Sequence, residues 1–282
     1  MAAVAEDLGH LRGVRHVLLS DGIAGSSVVA ADIRPDSADS ALTRIADFGI
    51  PAGDITLLRL ETIGPTATAE PTILVWADLL STAQVQARAP ARYFVLMAVA
   101  GVIAGLAVIN VSSVLIVGAM AISPDLLPIM ATCTGLVLRR WRLVRRGLGT
   151  LIVGLGVACL LAMVVTLFLR VIDLLPAGFT LGEIPAGQTR VNATTILVAA
   201  AAGVAGMLAV ETRASAAVGV GISVTTIPAS AYIGVALGTG AFEKCGSALA
   251  VLGVNIAMML VGGSIALATQ RLRAASAPAQ VG

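Results

Sequence analysis

The sequence predicts an α-helical integral membrane protein. Its six spans form two inverted three-helix repeats with proline-broken helices, behind a small N-terminal α/β domain of shortened ferredoxin-like type. Three observations lead there. The 282 residues are 57% hydrophobic and only 12% charged, with a mean hydropathy of +0.96, whereas a soluble domain carries roughly 25% charged residues. The charge is split: residues 1–80 hold eleven acids and five arginines, and the remainder holds thirteen bases and five acids. The third observation is an internal repeat across the apolar part.

The acidic segment comes first. "MAAVAEDLGHLRG" lacks a basic start followed by an apolar core, so it does not read as a signal peptide. "RHVLLS" and "SSVVAADI" are short and β-branched, with a glycine-bearing turn between them, and predict a strand pair. "DSADSALTRIADFGI" predicts a helix closed by Gly49 and Pro51. "DITLLRLETI" and "TILVWADLL" predict two more strands, which sets a domain over residues 1–85. So small a domain buries little surface. It is expected to lean on the membrane part or on a second copy in a homo-oligomer.

Six apolar stretches follow, at residues 93–109, 113–138, 147–172, 194–210, 214–237 and 245–268. A span needs about 20 residues, so the first and fourth are short and the second and third are long enough to tilt or break. "AGVIAGLAV" at residues 100–108 returns as "AGVAGMLAV" at residues 202–210. Gly135, Leu138, Gly147, Gly154 and Ala158 find identical partners 99 residues on, and Pro128 meets Pro228 at an offset of 100. The repeats are therefore set at residues 86–173 and 194–273, with an external loop over 174–193 and a tail over 274–282. Three spans per repeat is an odd number, so the second copy enters the membrane upside down. The loop "RRWRLVRR" after the second span carries five arginines and an interfacial Trp141. The positive-inside rule places it in the cytoplasm, together with both chain termini.

Within the second span, "AISPDLLP" interrupts the apolar run. Ser123 is a candidate N-cap, Pro124 suits a first helical position, and Asp125 then meets unpaired N–H groups and the positive end of the helix dipole. Pro128 follows four residues on. The matching stretch in the second repeat offers Thr225 and Thr226 just ahead of Pro228. Each repeat thus predicts a hydroxyl-then-proline interruption at similar depth. The same residues also admit a purely structural role, with the prolines kinking two helices and the hydroxyls satisfying freed carbonyls. Asn255, in the sixth span, is either interhelical glue or a site ligand. Gly101/Gly105 and Gly234/Gly238 give small-xxx-small pairs suited to helix packing.

With "GAMAISPDLLPIMA", the basic loop, "VGVGISVTTIPASAYIGVAL" and "LGVNIAMMLVGG" in hand, the chain resembles a bacterial membrane family known as domain of unknown function 389. The resemblance covers the membrane part and rests most on Gly118, Ala119, Met120, Ser123, Pro124 and Pro128. Where that family usually has Pro-Pro, this chain has Ile227-Pro228. The resemblance implies the architecture and a place in a bacterial cytoplasmic membrane, and it implies no substrate.

Functionally, inverted repeats with interrupted helices are a recurring plan of transporters that hold substrate near the midplane. The expectation is a permease for a small solute or ion, lined by Ser123, Pro124, Asp125, Pro128, Thr225, Thr226, Pro228 and Asn255. The alternative is a ligand-gated channel or membrane sensor controlled by the N-terminal domain. An embedded enzyme is disfavoured, because the spans hold no histidine and Asp125 has no second mid-span carboxylate. No cofactor or metal is expected: His10 and His16 lack partners, and Cys133, Cys159 and Cys245 lack ligand spacing. A nucleic-acid partner is not expected either, since the bases hug span ends.

Overall fold

A computed structural model describes residues 1–21, 27–34, 37–56, 91–176, 179–182, 191–212 and 215–276. These divide into two compact units, one built on residues 1–82 and the other on residues 83–272.

In the first unit, α1 (Ala2–Gly9) precedes β1 (Val14–Asp21), β2 (Ser27–Ile33) and α2 (Ala38–Asp47). The strand pair and α2 lie where the sequence predicts them. The strands run antiparallel, with Val14 opposite Ile33 and Asp21 opposite Ser27, and an irregularity falls between Arg15 and Leu18. α1 was not expected. Its signal was Val4 and Leu8, four apart on one helix face, which join Ala41 in a small core against Val17, Val29 and Ile45. An exposed ion pair between Arg44 Nη1 and Asp7 Oδ1 (3.0 Å) ties α2 to α1, a contact of at most about 1 kcal/mol in solvent. The two further predicted strands cover residues 54–63 and 72–80 and lie outside the described residues, apart from 54–56 of the first. Among the described residues the sheet has two strands.

The second unit is helical: α3 (Ala91–Ile109), α4 (Ser113–Ile122), α5 (Leu126–Val137), α6 (Trp141–Val171), α7 (Ala193–Thr212), α8 (Ser215–Thr239) and α9 (Glu243–Ser276). Local chemistry sets several boundaries. The Ser112 hydroxyl accepts from the Leu115 N–H at the start of α4 (3.4 Å). Asn192 Oδ1 accepts from the Thr195 N–H ahead of α7 (2.7 Å). α3, α5, α6 and α8 each end on a left-handed residue, respectively Val111, Arg139, Asp173 and Gly240. After each, the next N–H reaches back five residues to close the last turn, as Arg140 does to the Gly135 carbonyl at 2.8 Å.

Among the described residues, three helices are long and apolar enough to cross a membrane: α3, α6 and residues 243–272 of α9. A fourth is reached if α4 and α5, bent by 57° across residues 123–125, are taken as one span. The first interruption predicted from the sequence is therefore present. The second is not: α8 is helical without a break through Pro228. A proline inside a helix removes one N–H and crowds the preceding turn. Here a side chain from α9 supports that turn, so the helix bends its rules without ending.

Glycine sets the closest helix contacts. A Cβ on Gly101 of α3 would fall inside contact distance of the Ala158 backbone on α6. One on Gly203 of α7 would do the same to the Met259 backbone on α9. Gly234 and Gly238 of α8 sit equally tightly on Cys159, Met163 and Thr166 of α6. Such backbone approach substitutes dispersion contact for a hydrophobic drive that lipid does not supply.

Candidate functional site

The bend is built from three residues. Ser123 is extended (φ −68°, ψ 125°) and ends α4. Pro124 follows, and its carbonyl accepts from the Leu127 N–H (3.2 Å). Asp125 already has helical dihedrals (φ −62°, ψ −26°) and stands at the N-cap position of α5. Proline disfavours helical geometry in the residue before it, which is why the unwinding falls on Ser123. Pro128 lies in the first turn of α5, where no intrahelical partner for its nitrogen is needed. One break thus accommodates both prolines.

The expected caps are not made. Ser123 Oγ points to Met97 Sδ of α3 (3.5 Å) and leaves the α5 terminus uncapped. Asp125, wholly buried, does not cap α5 either. Its Oδ2 accepts instead from Thr226 Oγ1 of α8 at 2.5 Å. The short distance fits a hydroxyl bonded to a carboxyl oxygen inside a protein. Asp125 Oδ1, also buried, has no hydrogen-bond partner among the described residues.

The neighbouring threonine does something different. Thr225 Oγ1 donates to Met259 Sδ of α9 (2.8 Å), while the Thr225 carbonyl accepts from Asn255 Nδ2 (2.7 Å). That carbonyl belongs to the turn just before Pro228, so Asn255 props the place where proline weakens the helix. Asn255 is fully buried, and its Oδ1 has no hydrogen-bond partner among the described residues. Pro228 itself is buried inside α8.

Of the eight residues singled out by sequence, the structure joins Asp125 to Thr226 directly and Asn255 to the backbone of Thr225. It sends Ser123 and Thr225 to methionines, and assigns Pro124, Pro128 and Pro228 to backbone geometry. The methionines, Met97 and Met259, carried no signal of their own, because an apolar residue on a helix reads as core. Ser230, buried next to this turn, donates to the Leu155 carbonyl of α6 (2.7 Å) and pins α8 at that level. Among the described residues there is no group of three or more His, Cys, Asp or Glu that could hold a metal ion.

The chemistry of the cluster is that of one carboxyl group in an apolar bundle with hydroxyl, thioether and amide neighbours. Such a set can exchange a proton or a small cation at Asp125.

Comparison with curated proteins and with solved structures finds no match. Comparison with protein families matches residues 120–261, half of the chain, to the family described as Domain of unknown function (DUF389). The matched stretch runs from the bend through α8 to Asn255, so the polar cluster lies within the very region by which the chain belongs to the DUF389 family.

Proposed function

We propose that this protein is a transporter for a small solute, with six spans in two inverted three-helix repeats and a site between the α4–α5 bend and α8. Asp125 is the ion-coupling group. The observation that carries this reading is its setting: fully buried midway along an apolar bent pair, bonded at Oδ2 and unpartnered at Oδ1. An aspartate at a helix centre costs roughly 2.5–3.5 kcal/mol on insertion scales, and intramembrane carboxyls mark ion and proton paths. An ionised carboxylate needs a cation and a neutral one carries a proton. In either form Asp125 takes up positive charge when shut away and releases it when water reaches it.

Two features support the inverted plan. Gly101 against Ala158 and Gly203 against Met259 are the same first-to-third helix approach, at offsets of 102 and 101 residues. A bend of 57° falls well short of the reversal a re-entrant loop requires. The ten and twelve residues of α4 and α5 extend about 33 Å at 1.5 Å each, enough for a hydrocarbon core of about 30 Å.

The test is flux. Full-length protein is reconstituted in liposomes holding a pH-sensitive dye or tracer sodium, and pools of amino acids, sugars and carboxylates are added outside. Solute-dependent movement of protons or sodium that is absent from Asp125→Asn supports the reading. Equal responses in both proteins remove Asp125 from the mechanism. Orientation is checked separately with an impermeant maleimide on intact cells, using Trp141→Cys and Phe242→Cys, both exposed positions, in a background without native cysteines. Labelling of position 242 but not 141 is expected; labelling of both from outside contradicts the inversion.

One observation favours a second reading. Residues 1–82 form their own compact unit, as a ligand-sensing domain that gates a channel would. Single-channel steps from the full chain in planar bilayers would favour the channel over saturable uptake.

A further inference from the structure

The turn between α5 and α6 concentrates positive charge, and no ion pair to it occurs among the described residues. Arg139, Arg140, Arg142, Arg145 and Arg146 are all exposed there. Arg142 stands three and four residues from Arg145 and Arg146, so these three share one face of α6. The opposite face is fixed, since Leu143 and Val144 are buried against Gly135 of α5. This face lies at the N-terminal, positive end of a 31-residue helix with no acid in its first turn. No acidic residue occurs between Leu126 and Ile172. Like charges on one helix face and cations at the positive dipole end are each unfavourable.

The fold adds to the charge. Arg271, from the far end of α9, donates from Nη1 to the Val137 carbonyl (3.1 Å) and brings a sixth guanidinium beside the turn. The turn is held firmly, with Arg139 left-handed (φ 53°) and the Arg140 N–H bonded to the Gly135 carbonyl. Its depth follows from length. α6 runs about 46 Å at 1.5 Å per residue, against a hydrocarbon core of about 30 Å. The stretch from Gly147 to Leu169 is uncharged and fills that core. Residues 141–146 therefore stand among the headgroups, where the indole of Trp141 is 67% exposed.

We infer that this turn, with the first turns of α6 and Arg271, is a binding site for the phosphate of anionic phospholipid headgroups. Planar guanidinium forks suit phosphate oxygens, and a phosphodiester among them neutralises the dipole end and the crowded arginines together.

The chain has two tryptophans, so Trp76→Phe leaves Trp141 as the reporter. Full-length protein in phosphatidylcholine bilayers is titrated with brominated phosphatidylglycerol or brominated phosphatidylcholine, and Trp141 quenching is read. Preference for the anionic lipid of at least about fivefold is expected. It falls towards unity in Arg142→Gln/Arg145→Gln/Arg146→Gln. The corresponding triple lysine variant keeps the charge that orients the chain but loses the bidentate fork, and should fall in between. Equal quenching by the two lipids in the parent protein overturns the assignment. So does abolition of the preference by millimolar inorganic phosphate, which would make the ligand free phosphate. A triple lysine variant indistinguishable from the parent would also overturn it, by reducing the arginines to a topology signal.

Discussion

Thr226 Oγ1 donates to Asp125 Oδ2 at 2.5 Å across 101 residues of chain, and this bond joins the start of α5 to α8. Asp125 Oδ1 has no hydrogen-bond partner among the described residues, and the Ser123 side chain is the other hydroxyl that bears on the carboxyl. Thr226→Val should destabilise the protein by about 1–3 kcal/mol, since a buried carboxyl would lose the donor to its Oδ2. Thr226→Ser should restore most of it. Reversible unfolding in mixed micelles measures both; a valine variant as stable as the parent would show that the bond contributes nothing.

Asn255 and Pro228 should be energetically coupled. Pro228 withholds an N–H from its helix, and Asn255 Nδ2 serves the Thr225 carbonyl in the weakened turn. With Pro228→Ala the helix closes on itself, and Asn255→Leu should then cost less than in the parent, by about 0.5–3 kcal/mol. A double-mutant cycle on unfolding free energies gives the number, and a coupling of zero refutes the propping role.

Glycines inside the apolar helices should behave oppositely according to what faces them. Gly101→Ala and Gly203→Ala push a methyl into a neighbouring backbone, and each should cost about 1–3 kcal/mol. Gly118 has nothing within 4 Å of a built Cβ, so Gly118→Ala should be neutral or stabilise by up to about 1 kcal/mol. Melting curves monitored by circular dichroism separate the two classes; the same sign at all three positions would contradict the close packing described.

Val111 is a β-branched residue at φ 50°, ending α3 while 65% exposed. Val111→Gly should raise stability by about 1 kcal/mol, because left-handed geometry strains any residue with a Cβ. Val117→Gly, in the middle of α4, should lower it. If Val111→Gly also lowers the melting temperature, the positive φ is not the conformation in the membrane.

Much of this was legible in the sequence where the signal is local. Ser123-Pro124-Asp125 announced a break because proline restricts its predecessor and removes a donor, and neither effect needs a partner. The strand pair and α2 followed from short-range pattern in the same way. Pro228 misled because tertiary packing carries its helix through, with Asn255 of another helix donating to the Thr225 carbonyl in the turn before it, and propensity cannot see that. The cluster divided similarly. Asp125 and Thr226 stood out as polar residues in apolar runs, but which of two adjacent threonines turns to the carboxyl depends on the rotation of α8. Met97 and Met259 were invisible, since only a tertiary contact reveals a thioether as a hydrogen-bond acceptor. α1 was overlooked because ten residues that lack a leader's pattern still hold one helical face.

The glycine contacts on α8 have a mechanical consequence. Gly234 and Gly238 fasten the half beyond Pro228 to α6, whereas Thr225 and Thr226 lie ahead of it. Pro228 thus separates an anchored stem from the half of α8 that carries the carboxyl's hydrogen-bond donor. Any movement of that half would load the Thr226–Asp125, Thr225–Met259 and Asn255–Thr225 hydrogen bonds together, while both glycine seats lie on the other side of Pro228.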